Sequence, residues 1–187
     1  YHMALALEPD YVGAHNNLGN ALQELGQLDE AVTHCQKAIT IKPDYGEAHN
    51  NLGVALQEQG RLEEAEQSYR RALEINPDST EVEINLGNVL LNIAYNLHQT
   101  DGQILSSAKG DKSLAISSKI SGLRDEALAC SDRALSLTPG STGALTLKTA
   151  GLLDLSRLDD WAAFSDFDRF IQSQRISVPE GYADLRA

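Results

Sequence analysis

Five histidines, two cysteines and 27 acidic side chains are the residues of this 187-residue chain whose types could carry catalysis or metal binding. One metal ion needs ligands converging to ~2 Å. His15 and His49 come closest to a pattern, in matching contexts 34 residues apart. On equivalent neighbouring helices they stand ~8–10 Å apart. One ion cannot bridge that gap, so both read as core or interface histidines. Paired carboxylates could serve as acid and base, yet Asp29-Glu30, Glu63-Glu64 and Asp159-Asp160 fall at turns and helix starts, where the helix dipole favours them. Cys35 and Cys130 lie far apart on predicted helices and read as reduced core thiols. The sequence has no Gly-x-x-x-x-Gly-Lys loop, Gly-x-Ser-x-Gly elbow, His-Glu-x-x-His or Cys-x-x-Cys. The expectation is a non-catalytic chain that needs no cofactor and no metal.

Amides remain. Asn17, Asn51 and Asn85 each precede a Leu-Gly pair at intervals of 34 residues, with Asn16, Asn20, Asn50 and Asn88 beside them. A primary amide both donates and accepts, so a ladder of them can grip an extended backbone without reading its side chains.

The interval is that of a repeat. Ala14-His15-Asn16-Asn17-Leu18-Gly19 returns as Ala48-His49-Asn50-Asn51-Leu52-Gly53, and Gly26-Gln27-Leu28-Asp29-Glu30-Ala31 as Gly60-Arg61-Leu62-Glu63-Glu64-Ala65. Each unit reads as two antiparallel helices, with Gly26 or Gly60 supplying the left-handed residue that ends the first. Pro43 and Pro77 stop the second helix. Gly19 and Gly53 fall mid-helix, where glycine costs about 1 kcal/mol against alanine. A close crossing on Ala31 and Ala65 is the expected compensation.

Leu52, Gly53, Ala65, Tyr69, Ala72 and Pro77, at their 34-residue offsets, resemble the tetratricopeptide repeat family. The family's usual Trp is His15 or His49 here, and its first Tyr is Leu22 or Leu56. The resemblance implies an all-α, right-handed superhelical solenoid of about four to five helix pairs, with the first helices lining a concave groove. The Asn register resembles the asparagine ladder of O-linked N-acetylglucosamine transferases, which implies an extended peptide or partner segment held by Asn16, Asn17, Asn20, Asn50, Asn51, Asn85 and Asn88.

The expected solenoid spans 1–175. Residues 1–11 read as the end of a preceding repeat, because Tyr1, Ala4, Leu5 and Pro9 align with Tyr69, Ala72, Leu73 and Pro77. Repeats follow at 12–45 and 46–79. The third starts in register at Ile84-Asn85-Leu86-Gly87, but its Gly-x-x-x-Glu-Ala signature arrives 28 residues late, at Gly122 to Ala127. Two readings compete, a long loop inserted in one repeat over 93–121 or, the favoured one, an irregular repeat, 80–107, with a short second helix over 94–107. A new first helix over 112–121 then opens a repeat at 108–141, with turns at Thr100-Asp101-Gly102, Lys109-Gly110-Asp111 and Gly122. A degenerate repeat, 142–175, and a linker or tail, 176–187, complete the chain.

Charge narrows the partner. Fifteen basic against 27 acidic residues leave a formal −12, which repels phosphate backbones. No apolar run reaches the ~18 residues of a membrane span. The segments 12–25, 46–59 and 80–92 hold Glu24, Glu47, Glu58, Glu81 and Glu83 but no Lys or Arg. A neutral to basic extended protein segment fits such a groove, in the cytoplasm, and self-association stays open. Trp161, Phe164, Phe167 and Phe170 read as a terminal helix stripe or as a docking surface. In the alternative reading the chain is the targeting arm of a larger enzyme, a glycosyltransferase or a 2-oxoglutarate oxygenase. Phe167-Asp168-Arg169-Phe170 with the Val178-Pro179-Glu180-Gly181 stretch resembles a junction to an oxygenase domain, although the His-x-Asp metal motif of those enzymes is absent.

Overall fold

The computed structural model describes residues 1–104 and 111–152, and every regular element among them is an α-helix. After α1 (His2–Leu7) come two hairpins of short helices, α2 (Val12–Glu24) with α3 (Leu28–Ile41) and α4 (Gly46–Glu58) with α5 (Leu62–Ile75). A longer hairpin follows, α6 (Thr80–Ile104) with α7 (Asp111–Leu137), and then α8 (Thr142–Leu152). Each second helix packs on the first helix of the next hairpin. First helices also touch one another, α2 with α4, α4 with α6 and α6 with α8, while among the described second helices α5 and α7 meet only through the long side chains of Arg70 and Glu126 (2.6 Å). A stack drawn together on one side curves toward that side, so α2, α4, α6 and α8 line the concave face.

The turns inside the short hairpins follow their glycines. Gly26 and Gly60 have φ of 73° and 76°. Around them Gln27 N–H bonds to the Leu22 carbonyl and Gly26 N–H to Gln23, and Arg61 and Gly60 repeat this on Leu56 and Gln57. This paired closure satisfies carbonyls that the helix end leaves open.

The third hairpin departs from the sequence reading. No break occurs near 93. Thr100-Asp101-Gly102 lies within α6, and α7 runs through Gly122 without a turn. The reason is at position 94, 34 residues after Gly60, which holds Ala94. With no glycine at that position and no proline in the stretch, α6 continues for 25 residues, against 13 in α4. Its apolar stripe continues too: Ile93 joins the core, Leu97 and, from α7, Leu123 pack against it, and Ile120 of α7 is buried. One elongated hairpin therefore replaces the expected pair of helix breaks. Lys109-Gly110 lies outside the described residues.

The two glycines that align by sequence should respond oppositely to substitution. Gly60→Ala should cost about 1–2 kcal/mol, because its backbone is left-handed. Gly122→Ala should stabilise by about 0.5–1 kcal/mol, because a Cβ there meets nothing and the residue is exposed in a helix. Urea melts of the two variants check this, and equal signs would restore a turn at Gly122.

Candidate functional site

The concave face is built from equivalent turns of α2, α4 and α6. Asn16 is fully buried and is held by two residues one turn apart on α4. Its Nδ2 donates to Glu47 Oε1 (2.9 Å), and its Oδ1 accepts from Asn51 Nδ2 (2.9 Å). The arrangement recurs one repeat on. Asn50 Nδ2 donates to Glu81 Oε1 (3.0 Å), and Asn85 Nδ2 donates to Asn50 Oδ1 (3.1 Å). Asn16 and Asn50 are thus buried ties between neighbouring repeats and not groove-facing contacts, which corrects their expected role. A buried amide needs these partners, since leaving one unpaired costs about 1–3 kcal/mol.

Asn51 and Asn85 are half-buried, and Asn17, Asn20 and Asn88 are exposed. Asn20 donates to Glu24 (3.4 Å), one turn along α2, and Gln23 donates to Glu58 across to α4 (2.8 Å). Asn51 and Asn85 therefore rest on a buried second row, Asn16 and Asn50, and Asn17 holds the equivalent register on α2. The 31-residue spacing of Asn16 to Glu47, repeated from Asn50 to Glu81, was visible in the sequence as a signal for these ties. The aromatic group Trp161, Phe164, Phe167 and Phe170 lies outside the described residues, as does the proposed oxygenase junction.

A second layer, at the helix entry, differs between repeats. His15 Nε2–H donates to the Pro9 carbonyl (2.9 Å), and its Nδ1 lies 2.9 Å from Nδ1 of His34 on α3. His49 Nε2–H makes the same bond to the Pro43 carbonyl (3.0 Å). The third repeat places Glu83 at this position. Arg133 of α7 meets it with Nε (2.6 Å) and Nη2 (2.9 Å). This two-point pairing is what lets a carboxylate sit almost wholly buried there. His15 and His49 are structural ties as expected, whereas His34 was not singled out in the sequence. Among the described residues no cluster of three or more His, Cys, Asp or Glu could hold a metal ion.

Both cysteines are free and buried. Burial pushes the Cys35 thiol up to about 11. Burial, with the Glu83 charge adding, pushes Cys130 up to about 12. A thiol held protonated and away from solvent is a poor nucleophile. Neither should react with iodoacetamide at neutral pH until denaturant is added. Rapid labelling of the folded chain would show that these helices open.

Residues 10–78 match the family model for the tetratricopeptide repeat. Those residues cover α2 to α5, whose hairpins, turn glycines and closing prolines carry that pattern. The segment is a run of tetratricopeptide repeats. The tetratricopeptide fold extends beyond it in structural comparison. A MamA crystal structure aligns with 94% of this chain and 86% of its own, at 17% identity and a TM-score of 0.67. The first TPR of Spaghetti (RPAP3), bound to the HSP90 peptide SRMEEVD, aligns with 78% of this chain and 93% of its own, at 17% identity and 0.59. A Thermobaculum terrenum O-GlcNAc transferase aligns with 75% of this chain but only 22% of its own, at 23% identity and 0.56. At such identities the likeness is one of fold. The search of curated proteins gives no match. Among the described residues no helix of this tetratricopeptide stack is long and apolar enough to cross a membrane.

Proposed function

We propose that this chain is a protein-interaction scaffold that holds an extended, neutral to basic partner segment in its concave groove. The observation that carries the reading is the row formed by Asn17, Asn51 and Asn85 across α2, α4 and α6. Their side chains keep hydrogen-bonding capacity that the chain does not use. Asn17 and Asn88 make no side-chain bond among the described residues, and Asn51 and Asn85 each spend one N–H on the row beneath.

Two of the structural neighbours are complexes with chaperone peptides, SRMEEVD and SGPTIEEVD. Peptide binding is thus within the reach of the fold. Those peptides end in carboxylates, and here α2, α4 and α6 carry Glu24, Glu47, Glu58 and Glu81 with no Lys or Arg. On α8, Lys148 is engaged by Asp132 (2.7 Å). An acidic tail of that kind meets no cationic clamp on these helices, which is why the reading favours a neutral to basic segment. A role as the recruiting arm of a larger enzyme remains a second proposal, and the likeness to a glycosyltransferase's repeats supports it by fold.

The test is a titration of the wild type and the triple variant Asn17→Ala/Asn51→Ala/Asn85→Ala with extended peptides of differing charge. Unchanged affinity in the variant would move the binding site away from this groove.

A further inference from the structure

We infer that Glu47 and Glu81 fix the hydrogen-bond polarity of the ladder, and that the groove therefore selects an extended segment rich in donors, one bearing Lys or Arg. This rests on the groove reading above and names the partner class of that same site. A carboxylate only accepts, so the amide beside it must turn its N–H₂ toward it. Asn16 does so toward Glu47, which leaves Oδ1 as the only atom it can show to Asn51. Asn51 must then turn Nδ2 inward, and the atom it keeps for a ligand with both lone pairs unused is Oδ1. Asn50, Glu81 and Asn85 repeat the chain of consequences. Inverting either buried amide would set Oδ1 against a carboxylate oxygen and leave an N–H₂ facing another donor, an arrangement that burial penalises heavily.

Part of the remaining concave face shares the bias. Asn20 donates to Glu24 and Gln23 to Glu58, carboxylates of the same face, whereas Asn17 and Asn88 are not turned by the relay. The helices α2, α4 and α6 add no Lys or Arg. The relay has two steps and then stops, because the position of Asn16 and Asn50 is Ile84 in α6. That side chain lies 3.1 Å from where a Cβ on Gly143 of α8 would stand. The outward amides that the relay turns, Asn51 and Asn85, therefore sit on α4 and α6, and with Asn17 on α2 the row spans three helices, a width of ~20–30 Å at ordinary helix spacing. An extended segment of about 8 residues covers it.

The test uses three capped peptides of about 12 residues, ~40 Å when extended, built from Lys-Ser, Gln-Ser and Glu-Ser repeats. Each is titrated against wild type, against Glu47→Gln/Glu81→Gln, and against Glu24→Gln/Glu58→Gln. The last pair removes the same charge from the concave helices, here α2 and α4, without touching the relay, and circular dichroism confirms that all three proteins are folded. A Gln beside Asn16 or Asn50 can present either oxygen or N–H₂, so it releases the polarity. Wild type should prefer Lys-Ser, then Gln-Ser, then Glu-Ser. At about 0.5 M salt, where exposed charges are screened, only the relay variant should remain weakened toward Lys-Ser, by about 3–10-fold. In nitrogen-15 spectra of the free wild type, one Nδ2 proton each of Asn51 and Asn85 should exchange slowly, and that protection should vanish in the relay variant. Equal behaviour of the two double variants at high salt, or unchanged protection, overturns the relay. Equal binding of all three peptides by wild type overturns the polarity and leaves the groove reading standing. Binding of none overturns the groove reading and the inference with it.

Discussion

Tyr69→Ala should destabilise the chain by about 3–5 kcal/mol, the range for removing a buried aromatic side chain, and in that background Gly53→Ala should change sign. Tyr69 is among the largest fully buried side chains, and it crosses from α5 over Gly53 of α4 to donate its hydroxyl to Gln57 (3.0 Å). Burial pushes its phenol well above the ordinary range, with the charges of Glu58 and Glu81 adding. It therefore stays a neutral donor at any ordinary pH. A Cβ on Gly53 would lie 2.6 Å from the ring. In the wild type that substitution overpacks a rigid contact and should cost about 1–3 kcal/mol. With the ring gone, the same methyl gains helix propensity and enters the space left behind, a stabilisation of about 1 kcal/mol. The coupling between the two sites should then be about 2–4 kcal/mol, read from urea melts of the four-protein cycle. Additive effects would mean that Gly53 does not face Tyr69.

That contact shows how far the sequence could be read. Gly53 and Tyr69 both stood out as repeat positions, but the expected complement to the mid-helix glycine was Ala65. The structure instead fills each glycine's empty space differently. Cys35 lies against Gly19 together with the Ala31 carbonyl, as the expected crossing on Ala31 requires, while the Tyr69 ring lies against Gly53 and Leu147 of α8 against Gly87. Pattern reading finds where two helices must approach closely. Which side chain fills the gap depends on three-dimensional register, and that varies between repeats. The short hairpins were legible because Gly26, Gly60, Pro43 and Pro77 act locally on the backbone. The long hairpin was not, because Gly122 looks like Gly60 in its neighbours yet lacks a helix end to terminate. The groove was half legible. The Asn17, Asn51 and Asn85 register follows from the repeat alone, whereas the burial of Asn16 and Asn50 depends on helix rotation. Their ties to Glu47 and Glu81 cross between repeats, and the 31-residue spacing that signals them takes its meaning only with α2, α4 and α6 side by side.

The triple variant Asn17→Ala/Asn51→Ala/Asn85→Ala should lose most of its affinity for extended peptides. Each amide contributes about 0.5–1.5 kcal/mol as a neutral hydrogen bond, so three contribute roughly 1.5–4.5 kcal/mol. That corresponds to a weakening of about tenfold at the low end and more than a thousandfold at the high end. A micromolar complex needs about 8 kcal/mol, so the ladder supplies a part and contacts along the groove must supply the rest. The variant also removes the inward bonds of Asn51 and Asn85 to Asn16 and Asn50. A stability loss of about 1–3 kcal/mol per orphaned acceptor is therefore expected alongside. Helical content should persist at room temperature, because the core behind the ladder, Leu18, Leu52 and Leu86, is untouched.

The central claim, that the concave row receives an extended donor-rich segment, is tested most directly by nitrogen-15 shift mapping of the wild type as the Lys-Ser peptide is added. The account predicts that the side-chain amide signals of Asn17, Asn51 and Asn85 move together and saturate at one peptide concentration. Asn16 and Asn50, buried beneath them, should shift less, and the outer helices α3 and α5 should stay still. Saturable shifts confined to α3 and α5, with the ladder amides unmoved, would contradict it.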